Sequence, residues 1–214
     1  MAGGSDKIGT AQAVTVGVTG HRTNRLPEMQ WPRLRSELAT VMAQIEAEHP
    51  RQRCTLISGL AEGADQLAAF AALGRGWRLH AILAFHRSRF EKDFSGPSSV
   101  GEFRALLSAA HRITEPGPRW HIGRSANEGY HTMGTAMLAL SQRLIAIWDG
   151  EPSRGRGGTI EVIEQALRLG LPVVWVHAAK CVHPQVLLPS TEARGVTKVD
   201  QPKLRSRPSH SRTR

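Results

Sequence analysis

The groups in this 214-residue chain best suited to chemistry lie where three apolar runs break off. Ala13–Val18 (AVTVGV) leads to Gly20, His21 and Arg22. Cys54–Ile57 (CTLI) leads to Ser58, Gly59, Glu62, Gly63 and Asp65. Leu144–Trp148 leads to Asp149 and then to Gly155, Gly157, Gly158 and Thr159. Glycine accepts positive φ and lets a ligand approach the backbone closely. Where such a turn opens a helix, unpaired N–H groups and the positive end of the helix dipole meet, a combination that suits phosphate. Phosphate is therefore expected at Gly157–Thr159 and at Ser58–Gly59. Beside them Gly20 offers close approach, His21 a hydrogen-bonding ring and Arg22 a guanidinium that clamps phosphate or carboxylate.

Each of these groups also has a plainer role open to it. Gly20 and Arg22 suit a simple turn, and Asp65, in the first turn of a helix, suits a cap favoured by the dipole. Asp149 either meets a ribose hydroxyl, as acidic residues do in dinucleotide folds, or starts a turn. Tyr130 and His131 are ligand contacts or packing and surface residues. Glu161 either acts on a ligand or offsets the dipole of its helix. No metal site is expected, because His177, Cys181 and His183 lack the spacing and partners of a zinc centre. No Walker-type Gly-Lys-Ser/Thr, Gly-x-Ser-x-Gly or His-Glu-x-x-His motif is present, which argues against ATP hydrolysis and serine hydrolase chemistry.

These turns need strands and helices to hold them. Leu34, Leu38, Val41, Met42 and Ile45 recur at helical spacing between Trp31 and His49, with Pro32 at the start and Pro50 at the end. An alanine-rich helix is expected over Gln66–Leu73, a strand over Leu79–Phe85, and helices over Val100–Ile113 and Asn127–Ser141. Ile160, Ile163, Ala166 and Leu167 set a further helix that Gly170 and Pro172 stop, ahead of a last strand, Leu171–Val176. Thr114–Gly123 reads as loop. Alternating strands and helices predict an α/β fold with a parallel sheet of about five or six strands.

Composition bounds the rest. Hydrophobic residues make up 40% of the chain, ordinary for a globular domain, and no apolar run reaches the length of a membrane span. The polar start MAGGSDKIGTAQ carries no signal-like segment, so a cytoplasmic location and a disordered stretch over 1–12 are expected. Of the net charge of +10, eight basic side chains from Lys180 onward, against Glu192 and Asp200, carry +6 and leave +4 for the remainder. Residues 179–214 are expected to be a disordered basic tail, either solvated or in weak contact with nucleic acid. Residues 13–178 then form one domain.

Three segments together resemble a known superfamily. SGLAEGADQLA is similar to the Ser-Gly-x-Ala-x-Gly-x-Asp pattern of the DNA-processing proteins DprA/Smf. GRGGTIEVIEQAL is similar to the PGGxGTxxE segment of LOG proteins, which hydrolyse the N-glycosidic bond of cytokinin nucleotides. With VTGHR and SQRLIAIWDG, they resemble the SLOG superfamily over about residues 13 to 178. The resemblance implies a Rossmann-like, open, mostly parallel sheet with helices on both faces, binding a nucleotide or NAD-derived ligand with no cofactor required. It also implies three alternatives: a ligand sensor of the kind found in bacterial defence systems, a LOG-like hydrolase with Glu161 as its carboxylate, or a single-strand DNA binder. The Arg-Lys pair of LOG enzymes has no counterpart at Met133 and Gly134, and only Gly155 remains of the two glycines that precede Gly-Thr. Helical faces such as Val100–Ile113 are candidates for pairing copies of the chain.

Overall fold

The computed structural model describes residues 13–120, 123, 125–152 and 158–189. Seven strands form one sheet: β1 (Val14–Gly20), β2 (Cys54–Ser58), β3 (Arg78–Ile82), β4 (Arg112–Thr114), β5 (Arg143–Trp148), β6 (Val173–His177) and β7 (Gln185–Leu187). Their spatial order is β4-β3-β2-β1-β5-β6-β7. Every neighbouring pair is parallel except β6 with β7. The helices are α1 (Trp31–Glu48), α2 (Ala64–Gly74), the single turn α3 (Arg87–Phe90), α4 (Pro97–Ala109), α5 (Ala126–Ala139) and α6 (Thr159–Arg168).

Strand alternation sorts the core into two layers. Val14, Val16 and Val18 of β1 and Ile145 and Ile147 of β5 join the cluster that packs with Leu34, Leu38, Leu67 and Phe103, from α1, α2 and α4. Leu144, Ala146 and Trp148 of β5 join the opposite cluster, with Met137, Leu138, Ile163 and Ala166 of α5 and α6. Helices thus cover both faces, which is why β2 is buried at every position and β5 is apolar from Leu144 to Trp148. Each fully buried Leu, Val or Ile contributes about 1.5–3 kcal/mol relative to exposure.

The expected elements form, with two additions. The helix expected to run to Ile113 ends at Ala109, and Arg112–Thr114 pairs with β3 as an edge strand whose residues are all exposed. The tail expected from residue 179 instead returns through Gln185–Leu187, which pairs antiparallel with β6. Residues 1–12 and 190–214 lie outside the described residues, as do Gly155 and Gly157. No described helix is long and apolar enough to cross a membrane.

The chain builds outward from β1 through β2 and β3 to β4, then returns to place β5 on the other side of β1. The order reverses between β1 and β5. In open parallel sheets ligands collect beyond the carboxyl ends of the strands at such a reversal.

Candidate functional site

Glycine lets three elements close around that point. Gly20 pairs with Ile147, and the His21 N–H donates to the Ile147 carbonyl at 3.1 Å. The N-terminus of α2 docks on the same loop, its Ala64 N–H donating to the His21 carbonyl at 3.0 Å. A Cβ on Gly20 would stand 2.4 Å from Ala64 Cβ and 2.8 Å from the Ile147 carbonyl oxygen. Gly63 has φ +102°, and a Cβ there would meet the His21 carbonyl at 2.7 Å. Both glycines therefore serve this junction. Beside it opens a cavity of about 290 Å³, lined among others by Arg22, Asn24, Arg25, Asp65, Tyr130 and Thr159.

Arg22 is held in place but not neutralised. Its guanidinium donates to the Tyr130 hydroxyl and to the Asp93 carbonyl at 3.4 Å, and it lies 5.0 Å from the centre of the Tyr130 ring. The Tyr130 hydroxyl in turn donates to Asp93 Oδ2 at 2.7 Å. Burial, with Asp93 adding to it and Arg22 opposing, pushes the Tyr130 phenol well above its ordinary range, so the ring stays neutral. Among the described residues no carboxylate is in ion-pair contact with Arg22. Its positive charge borders the cavity.

Asp149, by contrast, already has partners. Oδ1 meets His21 Nε2 at 2.9 Å and accepts from the Glu151 N–H at 3.0 Å, while Oδ2 accepts from Arg25 at 2.6 Å. Burial pushes this carboxyl up, but the hydrogen bonds from His21, Glu151 and Arg25 outweigh it and hold the group below the usual carboxylate range. Gly150 follows at φ +86°, and the Asp149 carboxylate holds the ring of His21 and the fork of Arg25 at this turn. The indole N–H groups of Trp148 and Trp175 secure the same loop on the carbonyls of Glu151 and Trp148.

The two glycine bends differ. At Ser58–Asp65 the amides have acceptors inside the protein. Ser58 Oγ takes the Leu60 N–H at 3.1 Å, and the Asp65 carboxylate takes those of Gly59 and Ala61. Ser58 is fully buried and, like Gly59, does not line the cavity. The amides of this bend, where phosphate is expected, thus have acceptors within the protein. Glu62 turns the other way and accepts from the backbone and hydroxyl of Ser95. At the other bend Gly158 is the N-cap of α6, with φ −88° and no side-chain cap, and Gly158, Thr159 and Ile160 line the cavity.

Glu161 and His131 lie elsewhere. They line a separate hollow between α5 and α6, of about 870 Å³, with Glu128, Gln165 and Arg168. The expected catalytic carboxylate is thus not a wall of the cavity that holds Arg22. The group missed is Asp65, a buried carboxyl that does line that cavity. Its signal was in the sequence, at the end of the Ser-Gly-x-Ala-x-Gly-x-Asp pattern, but a first-turn carboxylate reads equally well as a cap. Among the described residues no cluster of three or more His, Cys, Asp or Glu could hold a metal ion.

No family model matches the chain, and no curated protein matches it. Among solved structures it is similar to DNA processing protein A (DprA) from Streptococcus pneumoniae, with a TM-score of 0.53 and 21% identity. The match covers 76% of this chain, which spans 50% of the DprA chain. A Moco carrier protein from Chlamydomonas rheinhardtii aligns with a TM-score of 0.46 and 18% identity over 77% of this chain and 76% of that one. The likeness to DprA matches the SLOG resemblance at the level of the fold: this chain has a Rossmann-like, open, mostly parallel α/β sheet.

Proposed function

We propose that the cleft between β1 and β5 binds a phosphate-bearing small molecule of the nucleotide class, its anionic group held between the N-terminus of α6 and Arg22. The observation that carries this reading is that a guanidinium without a carboxylate in ion-pair contact among the described residues and a helix start without a side-chain cap line one cavity at the reversal point of the sheet. At about 290 Å³ the cavity is near the lower end of small-ligand sites, which favours a single nucleotide unit over a strand of nucleic acid. Binding without hydrolysis is the reading favoured here, because Glu161 lines the other hollow.

The test is calorimetric titration with a panel of nucleoside mono- and diphosphates and ADP-ribose, repeated on Arg22→Ala. Micromolar binding of at least one ligand, lost in the variant, supports the reading. No binding across the panel, or binding untouched by Arg22→Ala, overturns it. A LOG-like hydrolase would instead release free base from a nucleoside monophosphate, and lose that activity in Glu161→Gln.

A further inference from the structure

Asp65 has no part in the phosphate-binding reading, yet it is a wall of the same cavity. It stands in the first turn of α2 with its side chain buried, and its carboxylate accepts the N–H groups of Gly59 and Ala61. The fit is close, since a Cβ on Gly59 would come within 3.1 Å of Asp65 Oδ2. The charged and titratable groups that share the cavity or the bend with it come from several elements. The β1 loop brings His21, Arg22 and Arg25, and the β5 loop brings Glu151. Tyr130 enters from α5, and Glu62 from Asp65's own bend. Glu62 is turned onto Ser95, and His21 and Arg25 are joined to Asp149. Arg22 is the cation that acts on Asp65.

We propose that Asp65 is the proton-binding member of this site, so that an anion seated against Arg22 enters together with a proton on the Asp65 carboxyl. The inference rests on the reading of the cleft as an anion site. Its physical basis is competition for one guanidinium. An ionised Asp65 shares the field of Arg22, and an incoming anion removes that support while adding a like charge nearby. Burial, opposed by the Ala61 and Gly59 amides and by Arg22, pushes the free carboxyl up to about 7. A bound anion raises it further. Below that pH the free protein already carries the proton, and affinity is flat. Above it, binding must take up a proton, and affinity falls by at most about tenfold per pH unit.

Calorimetry with ADP-ribose and with sulfate, whose charges do not change between about pH 6 and 9, tests this in buffers of different ionisation enthalpy. The expected result is that both anions bind roughly tenfold more weakly at pH 8.5 than at pH 6.5. At the higher pH they should take up a substantial fraction of one proton. That uptake should vanish in Asp65→Asn and persist in His21→Gln. Anion binding with no proton uptake, or uptake that survives in Asp65→Asn, overturns the inference while leaving the anion site standing. Failure of both anions to bind at any pH overturns the anion site and this inference with it. Should Asp65→Asn not fold, carboxyl-carbon NMR of the native protein decides. The Asp65 titration must move upward on addition of sulfate, and an unmoved titration sinks the proposal.

Discussion

The stretches between β2 and α2 and between β5 and α6 read alike in sequence, each a strand followed by glycines and a helix start, yet their described residues meet the cavity differently. In the first, the Ser58 hydroxyl and the Asp65 carboxylate occupy three consecutive amides, and the His21 carbonyl takes the N–H of Ala64. In the second, the helix begins at Gly158 without a side-chain cap, and its first residues line the cavity. On the proposed reading, a glycine bend serves as an anion site only where the protein has not supplied the acceptor itself. The first bend is a fastening between β1 and α2. The second is the docking point of the proposed ligand.

The contrast can be broken at its fastening end first. Gly63→Ala forces a side chain onto φ +102° and against the His21 carbonyl, and is expected to cost about 3 kcal/mol of stability, read as a lower Tm and denaturant midpoint. Gly158→Ala, at an extended φ of −88°, should leave stability within about 0.5 kcal/mol and act on ligand affinity instead. Equal loss of stability in the two variants would erase the distinction.

Next in size is Arg22→Ala, expected to weaken a phosphate-bearing ligand by about 10–100-fold, the worth of a charge-assisted hydrogen bond. Tyr130→Phe removes only the hydroxyl that bridges Arg22 and Asp93, and should cost less, with calorimetry ranking the two.

A smaller effect sharpens the role of Asp65. Its folded-state value of about 7 lies above that of an unfolded aspartate, near 4. The protonated form therefore favours folding, and that contribution is lost as pH rises from about 4 to about 7. Asp65→Asn mimics the neutral form while keeping an acceptor for Gly59 and Ala61. It should raise Tm by about 2–4 °C at pH 8, a gain of about 1 kcal/mol, with no gain at pH 4. A lower Tm at pH 8 would mean that the carboxylate is needed in its charged form.

The smallest effect is expected at Glu161→Gln. Because Glu161 lines the other hollow, ligand affinity in the β1/β5 cleft should change by less than about twofold. A tenfold loss would join the two hollows functionally.

The pattern of what was legible follows from these contacts. Long apolar periodicities announced five strands and the major helices, because a strand buried on both faces has little freedom in composition. Arg112–Thr114 and Gln185–Leu187 escaped notice, since three-residue edge strands with exposed side chains leave no apolar run. At the site, Gly20, His21, Arg22, Tyr130, Gly158 and Thr159 were named from the sequence and do line the cavity or its junction. Asp65 and Glu62 were harder to assign. Their direction depends on packing between segments distant in sequence, Ser95 for one and the cavity for the other. Nothing local distinguishes a carboxylate that caps a helix from one that faces a ligand.

The central claim is tested most directly by following backbone amide resonances during titration with ADP-ribose, or with sulfate. At about pH 6, where Asp65 already carries its proton, the account predicts that the largest shifts fall on Thr159 and Ile160, with the Arg22 side chain, while Gly59, Leu60 and Ala61 stay nearly unmoved because their acceptors lie within the protein. Leading shifts at Gly59–Ala61, or around His131 and Glu161, would contradict it.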